Sequence, residues 1–225
     1  MIEITHLETY GWQPAIRHMR NPMNSWGKSD SIFYIYDCGG ITGNIMDDNI
    51  YFDGKTDMYL GENDLDLMTR LIKAGPEHRK FLREIAIWCD ITAPLYWWKQ
   101  FDTYNVGVTK NSCSTMHKIH AKEFDISDFS VEHLYEKNLA LYNTYLIPNL
   151  NYYRERYLET KDKDDWWQLI QLLPDTYIQT RGVTMNYEVI RKMYHERKNH
   201  KLDEWVYFCN FMEENLPHSE LIAEG

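Results

Sequence analysis

The chain has 225 residues, a formal net charge of −10 and a hydrophobic fraction of 44%. This is enough apolar material to bury a substantial core, and we expect residues 1–225 to form a single domain. A strongly acidic surface repels the phosphate backbone of nucleic acids, so the composition disfavours nucleic-acid binding, whereas two or three local cations would still bind a small anion.

Three further features indicate a cytoplasmic protein. The sequence lacks a run of about 18 or more apolar residues, so we expect no membrane-spanning helix. Its first residues, MIEITHLETYGWQP, lack the basic start and the apolar stretch of a secretion signal. The cysteines show no paired spacing, which is typical of reduced thiols; they are Cys38, Cys89, Cys113 and Cys209.

In the first quarter of the chain, the sequence predicts a short helix and two strands. Residues 13–19 favour a helix. The aromatic and β-branched run Ser31–Asp37 predicts a strand that ends at a Gly-Gly pair. The run Asn49–Asp53 predicts a second short strand, closed by Gly54.

Two helices are predicted next. Apolar residues recur at helical spacing over residues 65–72, with Asn63 as the N-cap and Gly75 as the end. Pro76 suits a first helical turn, so PEHRKFLREIAIWCDI predicts a second helix over residues 76–91.

The second half of the chain is predicted to be mainly helical. Ser130 to Tyr157 has a helical pattern that Pro148 kinks or breaks. The segment DDWWQLIQLLP predicts a short helix stopped by Pro174, and residues 184–215 predict the last long helical region. Together these elements predict an α/β fold dominated by helices.

A polar stretch behind the bulky run Tyr96–Trp98 is the first candidate for a site. It gathers hydrogen-bonding side chains, namely Asn111, Ser112, Cys113, Ser114 and Thr115, with His117 and Lys118 directly after them. Such a group is typical of a pocket that binds an anionic ligand, although a solvated loop has the same composition.

A second candidate lies near the C-terminus. Asn186 and Arg197 are eleven residues apart, about three helical turns, so both project from one helix face with Ile190 and Met193 between them. Polar residues at the two ends of an apolar stripe suit the wall of a pocket that holds a flat ligand. A helix packed on the core with charged ends would show the same spacing.

A metal site has weaker support. Cys113, His117 and His120 have the spacing C-x3-H-x2-H, but a zinc site needs a further ligand with coherent spacing, and the sequence offers none nearby. No residue can be assigned to activate Cys113 as a nucleophile. We therefore expect no metal.

Two tryptophan pairs, Trp97-Trp98 and Trp166-Trp167, admit two interpretations. Aromatic rings stack on flavins and nucleobases, but tryptophan pairs more often fill cores or subunit interfaces. We favour the structural interpretation for both pairs.

Three stretches, in order, resemble the flavin-dependent thymidylate synthases. LIKAGPEHRKFLREIAIW is similar to a family segment with Glu-His-x-x-Phe, and Glu77, His78 and Phe81 match it. Gln100 and the following Phe precede a region similar to the signature R-H-R-x-x-S-x-N-E-x-S-x-R-Y. LLPDTYIQTRGVTMN and the later Arg197 resemble the family's Leu-Pro, Asn and Arg stretch, so the resemblance spans about residues 66–216.

The central signature is only partly present. Asn111 and Ser114 match its Asn and last Ser, whereas the Arg-His-Arg group is replaced by neutral side chains. Neutral donors bind an anion about half as strongly as charged ones. Either the ligand differs, or cations come from elsewhere. The candidate cations are Arg79, Lys110, Lys118 and Arg197. At other positions this chain has Ser112 where the family has Glu, Met116 where it has Arg, His117 where it has Tyr and Lys192 where it has Asn, and His200 lies near but not at the family's His.

The resemblance implies a helix-rich α/β (α+β) thymidylate-synthase-complementing-protein-like fold with a small mixed sheet. It implies transfer of a one-carbon unit from methylene-tetrahydrofolate to C5 of a pyrimidine deoxynucleotide, dUMP or a related nucleotide, with FAD as cofactor and NADPH as co-substrate. The product would be a methyl or a hydroxymethyl group, and the assembly a homotetramer with shared active sites.

The resemblance also assigns roles to residues. Arg197 would be catalytic, at the pyrimidine carbonyl edge, where it would stabilise negative charge as C5 becomes nucleophilic. The residues expected to bind FAD are Asn186, Glu77, His78 and His200, and those expected to bind the nucleotide are Asn111, Ser112, Ser114 and Gln100.

Two alternatives stay open. A protein that keeps the fold but has lost the Arg-His-Arg group would bind nucleotide or assemble without turnover. A zinc-dependent hydrolase built on Cys113, His117 and His120 would require stoichiometric metal.

Overall fold

A computed structural model describes residues 2–37, 40–44 and 57–224 of the chain. The predicted strand Asn49–Asp53 lies outside these residues, as does Cys38. The strands are β1 (Glu3–Tyr10), β2 (Ile32–Asp37), β3 (Gly40–Asn44), β4 (Asp57–Tyr59), β5 (Ala86–Pro94), β6 (Thr109–Ser112) and β7 (Ile178–Asn186). The α-helices are α1 (Trp12–Met19), α2 (Glu62–Ala74), α3 (Leu95–Phe101), α4 (Thr115–Lys118), α5 (Glu136–Leu141), α6 (Ile147–Thr160), α7 (Lys163–Leu172), α8 (Tyr187–Arg197), α9 (Asp203–Asn215) and α10 (Glu220–Ala223).

The strands form two antiparallel sheets. The larger sheet has the order β1-β5-β7-β6, and the smaller has the order β3-β2-β4. The predicted α/β fold class is therefore confirmed, with the strands antiparallel throughout the described residues rather than mixed. Antiparallel sheets commonly bury one face and leave the other solvated. The larger sheet does so, since buried residues alternate with more exposed ones along β5 and β7.

The main core lies between the larger sheet and helices α1, α3, α8 and α9. Five aromatic side chains form its centre and are at most 1% exposed: Trp97, Trp98, Phe101, Trp205 and Phe208. Ring centroids of Trp97 and Trp205 lie 4.8 Å apart, and those of Phe101 and Trp205 lie 6.1 Å apart in a stacked arrangement. The core interpretation of the pair Trp97-Trp98 is thus confirmed.

A second, smaller core lies under α6 and α7. Its fully buried centre is Leu150 and Leu169, with Ile119, Phe124 and Phe129 around them. Trp166 is partly buried and Trp167 is 40% exposed, so this second tryptophan pair lies at the edge of the fold rather than in its core.

The predicted helix over residues 76–91 is wrong. A short 3-10 helix, Lys80–Arg83, is followed by strand β5. Within this strand Ile87, Cys89 and Ile91 are buried, whereas Trp88 between them is 40% exposed. This period of two fits a strand and not a helix, and β5 pairs on both sides, with β1 and β7.

The N-cap prediction for Asn63 is also wrong. Helix α2 begins at Glu62, so Asn63 lies in its first turn. The carboxylate of Asp30 accepts hydrogen bonds from the backbone N–H groups of Asn63 and Asp64, at 3.0 and 3.2 Å. The free N–H groups of the helix are thus satisfied by a residue far away in the sequence.

The long helical region around Pro148 begins later than predicted, at Glu136 instead of Ser130, and continues to Thr160. A π-helical turn, Tyr142–Leu146, stands directly before α6, whose first turn contains Pro148. Proline lacks an N–H and its ring collides with the carbonyl four residues earlier, and the wider π turn accommodates both effects.

The C-terminal helical region is confirmed from Tyr187 onward, in two helices, α8 and α9. Residues 184–186 belong instead to strand β7. The predicted stops also hold, since α2 ends before Gly75 and α7 ends before Pro174. No helix of the described part of the chain is long and apolar enough to cross a membrane.

Candidate functional site

Helix α8 carries a polar group at each end. The side chain of Asn186 is its N-cap, and Oδ1 accepts a hydrogen bond from the Val189 N–H at 3.1 Å. Ile190 and Met193 are fully buried between the two ends, as the spacing predicts. Arg197 is the last helical residue and is partly exposed. At 1.5 Å per residue, the two ends lie roughly 16 Å apart along the helix axis.

A short segment after α3 runs alongside α8 and contacts both of these groups. At one end, the Arg197 Nε donates to the Tyr104 hydroxyl at 2.9 Å. At the other end, Gly107 has a φ of 74°, and a Cβ built on it would lie only 3.2 Å from the Asn186 Nδ2 atom. The wall facing α8 is therefore the segment from Tyr104 to Gly107, and not the serine-rich stretch that follows it.

We call Gln100, Tyr104, Arg197 and Trp205 the Arg197 cluster. The centre of the Arg197 guanidinium lies 5.1 Å from the Trp205 ring and 5.6 Å from the Tyr104 ring, within cation–π range. The Trp205 indole N–H donates to the Gln100 Oε1 at 2.9 Å. Two residues predicted for the site, Gln100 and Arg197, are thus brought together by a tryptophan between them.

The cluster is held in place from behind by Glu204, the neighbour of Trp205. Its buried carboxylate accepts a short hydrogen bond from the Tyr96 hydroxyl, which ties α9 to α3. Burial, together with this hydrogen bond, raises the pKa of Tyr96 to about 12. The hydroxyl therefore stays protonated and keeps donating across the neutral pH range.

His200 lies at the edge of the cluster. Its ring centroid is 6.5 Å from that of Trp205, and its Nδ1 accepts the Leu202 N–H at 3.1 Å. Burial lowers its pKa, and the charges of Arg197 and Lys201 lower it further. Both effects favour the neutral form of His200.

A second group of charges lies on the core side of β6 and β7. The Asp102 carboxylate pairs with the Arg181 Nη1 at 3.0 Å and with the Lys110 Nζ at 2.9 Å. The Arg181 guanidinium stacks 4.3 Å from the Trp98 ring. Burial raises the pKa of Asp102, but the hydrogen bonds and charges of Lys110 and Arg181 outweigh burial and lower it. Two cations against one carboxylate leave a net positive charge here.

The serine-rich stretch is divided between different surfaces. Asn111 pairs with Gly182 in the sheet and is exposed on its outer face, at a shallow cavity of about 390 Å³. Ser112 pairs with Arg181 and therefore lies on the same face of the sheet as the charges of Lys110 and Arg181. Ser114 caps α4 and lines a different cavity, of about 350 Å³.

Glu77 and His78 lie in an exposed turn before the 3-10 helix. Glu77 forms only a loose ion pair with Lys80, at 3.9 Å. The next residue, Arg79, forms a bidentate contact with Glu188 in the first turn of α8. These residues therefore belong to the Asn186 end of α8, away from the Arg197 cluster.

The candidate metal ligands do not converge. Cys113 and His117 are exposed, and the Nδ1 atom of His120 is buried without a hydrogen-bond partner. Among the described residues, no three His, Cys, Asp or Glu side chains lie close enough together to hold a metal ion. The three described cysteines, Cys89, Cys113 and Cys209, are free thiols.

Tyr104, Arg181 and Trp205 belong to the site, although the sequence did not predict them. Arg181 offered one signal, because it alternates with Gln179 and Val183 on the buried face of a strand, where a charged residue is rare unless paired. Nothing in the local sequence indicated the contacts of Tyr104 and Trp205, since these contacts join residues about a hundred positions apart.

Comparisons with known proteins give structural matches. No protein-family model matches the chain, and no curated protein matches it. A crystal structure of flavin-dependent thymidylate synthase ThyX from Helicobacter pylori, complexed with FAD and dUMP, is similar with a TM-score of 0.66 and 16% identity, over 99% of this chain and 98% of that one. The chain has the ThyX fold.

A second structure of Helicobacter pylori ThyX, with FAD and dUMP at 2.31 Å resolution, matches equally well. Its TM-score is 0.66 and its identity 17%, with 100% of this chain and 98% of that chain covered. The ThyX likeness thus extends from end to end of the chain. The fold that the sequence resemblance implied is confirmed.

Proposed function

We propose that this protein is an FAD-dependent enzyme that transfers a one-carbon unit from methylene-tetrahydrofolate to C5 of a pyrimidine deoxynucleotide, dUMP or a related nucleotide. The observation that carries the proposal is the Arg197 cluster, a guanidinium held over two aromatic rings within a ThyX fold. In the part of the chain that the structure describes, no carboxylate forms an ion pair with Arg197. Its charge is therefore available to a ligand.

Arg197 is the proposed catalytic residue. Its Nε is occupied by Tyr104, which leaves the two terminal Nη groups to donate in parallel to a planar acceptor. A pyrimidine carbonyl edge is such an acceptor. Negative charge that develops there as C5 becomes nucleophilic would be stabilised by a guanidinium already oriented before the reaction.

FAD, when bound, would supply the redox chemistry, and the chain offers part of a site for it. The Oδ1 atom of Asn186 is used as a cap, so its Nδ2 hydrogens are the free donors toward a flavin. His200 adds an imidazole ring beside Trp205. Glu77 and His78 are proposed as flavin contacts at the other end of α8. Tyr104 and Val106 stand where the family signature has arginines, and Asn105 stands where it has the His, so the fit rests on fewer charges.

Lys110 and Arg181 are the proposed site for the nucleotide phosphate. Of the other candidate cations, Arg79 is already engaged by Glu188, and Lys118 is exposed on α4. The side chains of Lys110 and Arg181 are only 17% and 15% exposed, and Asp102 neutralises just one of the two charges. A phosphate group that binds to both side chains would neutralise the remaining positive charge.

Two of the predicted nucleotide contacts, Gln100 and Ser112, lie next to residues of the proposed site. Gln100 belongs to the Arg197 cluster and Ser112 pairs with Arg181. We propose both as nucleotide contacts. Asn111 and Ser114 lie on other surfaces, and their roles stay predictions.

We further propose NADPH as the reductant and a homotetramer as the assembly. The outer face of the larger sheet supports an interface between subunits, because it exposes 40% of Trp88 in contact with Tyr10, at a centroid distance of 4.6 Å. Size-exclusion chromatography with light scattering tests the assembly, and a monomer would contradict it.

The visible spectrum of the freshly purified protein tests the flavin. We expect a flavin absorbance band, or its appearance on titration with FAD. A protein that shows no band and gains none with added FAD would overturn the proposal.

Arg197→Ala tests the catalytic role, with Arg70→Ala as the matched control. Arg70 forms an exposed pair with Asp66 on α2, a helix that contributes no residue to the Arg197 cluster. We expect Arg197→Ala to abolish measurable one-carbon transfer and to weaken dUMP binding, whereas Arg70→Ala leaves both unchanged. The wild-type protein assayed with a panel of deoxynucleotides identifies the substrate and product; nucleotide binding without turnover would favour the non-catalytic alternative.

A further inference from the structure

The hydroxyl of Tyr104 stands between two neighbouring charges of opposite sign. It donates to the Glu196 Oε2 at 2.7 Å and accepts from the Arg197 Nε at 2.9 Å. The side chain is only 7% exposed, and its ring packs against Phe101 and Trp205. The hydroxyl is therefore fixed in position.

Two consequences follow for Arg197. A hydrogen bond at Nε sets the plane of the guanidinium, since the group is rigid and planar. The same hydroxyl also donates a hydrogen bond to the carboxylate of Glu196, the residue directly before Arg197 in the sequence. Without it, Glu196 and the Nε of Arg197 would both lose a partner and would be free to pair with each other, which would neutralise the guanidinium.

We propose that Tyr104 is a positioning residue that orients Arg197 toward the nucleotide and keeps Glu196 from neutralising it. This rests on the proposed function, in which Arg197 binds the pyrimidine. The two terminal Nη groups, which form no ion pair with the described residues, then face the ligand. Lys192, with its Nζ 5.8 Å from the Tyr104 ring, adds a second cation beside the same phenol.

The chain offers a matched control for this idea in Tyr194. This residue is also 7% exposed, and its hydroxyl donates to the Glu213 carboxylate at 2.7 Å. It lies on the same helix as Arg197. Tyr104→Phe and Tyr194→Phe therefore delete the same atom from the same kind of hydrogen bond, and a purely structural role would give both variants the same phenotype.

Calorimetric titration with dUMP is the first measurement. We expect Tyr104→Phe to weaken dUMP binding about 10-fold, which is about 1.4 kcal/mol, and Tyr194→Phe to leave it unchanged. Adding Glu196→Gln to Tyr104→Phe removes the competing carboxylate and should restore most of the affinity. Equal effects of the two tyrosine variants, or no rescue by Glu196→Gln, would overturn the proposal.

A measurement without ligand separates this proposal from the proposed function. In the ¹⁵N spectrum of the free protein, the Arg197 Nε–H signal, assigned by its loss in Arg197→Lys, should be protected from exchange in wild type and in Tyr194→Phe, but not in Tyr104→Phe. If that pattern holds and wild type binds no dUMP, the proposed function fails while the positioning of Arg197 by Tyr104 stands. A protected signal in Tyr104→Phe would refute the positioning itself.

Discussion

The buried ion pair between Arg20 and Asp64 allows a quantitative prediction about stability. Asp64 is fully buried and accepts hydrogen bonds from the Arg20 Nε at 2.6 Å and from the Ser29 and Ser31 hydroxyls at 2.6 and 2.7 Å. The substitution Asp64→Ala removes all of these acceptors. It leaves Arg20, which is only 4% exposed, as a buried charge without its carboxylate.

The magnitude follows from this geometry. Removing one partner of a buried ion pair costs roughly 3–5 kcal/mol, because the desolvated charge left behind is uncompensated. For a chain of this length each kcal/mol shifts the melting temperature by roughly 2–4 °C, so we expect a fall of roughly 6–20 °C. Asp66→Ala on the same helix is the control, since its pair with Arg70 is 66% exposed on both sides and is worth less than about 1 kcal/mol.

Urea unfolding of the wild type, Asp64→Ala, Asp66→Ala and the double variant Arg20→Met/Asp64→Ala measures these free energies. The double variant should recover part of the loss because it removes the uncompensated charge. Equal free energies of unfolding for Asp64→Ala and Asp66→Ala would refute the reasoning. So would a double variant that is less stable than Asp64→Ala.

The same pair predicts a pH dependence. Burial raises the pKa of Asp64, but the hydrogen bonds of Ser29, Ser31 and Arg20 outweigh burial and lower it below the ordinary 3.8. A carboxylate whose pKa is lower in the folded state contributes its stability above the unfolded pKa and loses it as the pH falls through the folded pKa. The stability difference between wild type and Asp64→Ala should therefore be full at pH 7 and shrink on acidification below about pH 4.

Two further predictions concern the site. Gly107→Ala should destabilise the protein by roughly 1–3 kcal/mol in thermal unfolding, because the positive φ and the Cβ contact with Asn186 both strain the chain. Gly27→Ala is the control, since its Cβ would meet nothing within 4 Å. Equal losses of stability in the two variants would contradict the prediction. Lys110→Met should raise the pKa of Asp102, measured by ¹³C NMR, and make stability less sensitive to acid; an unchanged pKa would contradict the ion pair.

Local patterns in the sequence determined several elements and one half of the site. The ends of α2 and α7 follow from Gly75 and Pro174, because a backbone that cannot continue a helix acts within its own turn. The buried stripe of Ile190 and Met193 between the polar ends of α8 follows from the helical period. The ordered motifs also led to the ThyX fold.

Tertiary structure alone decided what the local patterns left open. Residues 86–91 have apolar side chains that fit either a helix or a buried strand, and pairing with β1 and β7 selects the strand. The partners that complete the site are distant in sequence: Tyr104 meets Arg197, and Asp102 meets Arg181, across 93 and 79 positions. Hydrogen bonds and ion pairs of this kind carry no periodic signal along the chain, so only the packing of α3, β7 and α8 against one another creates them.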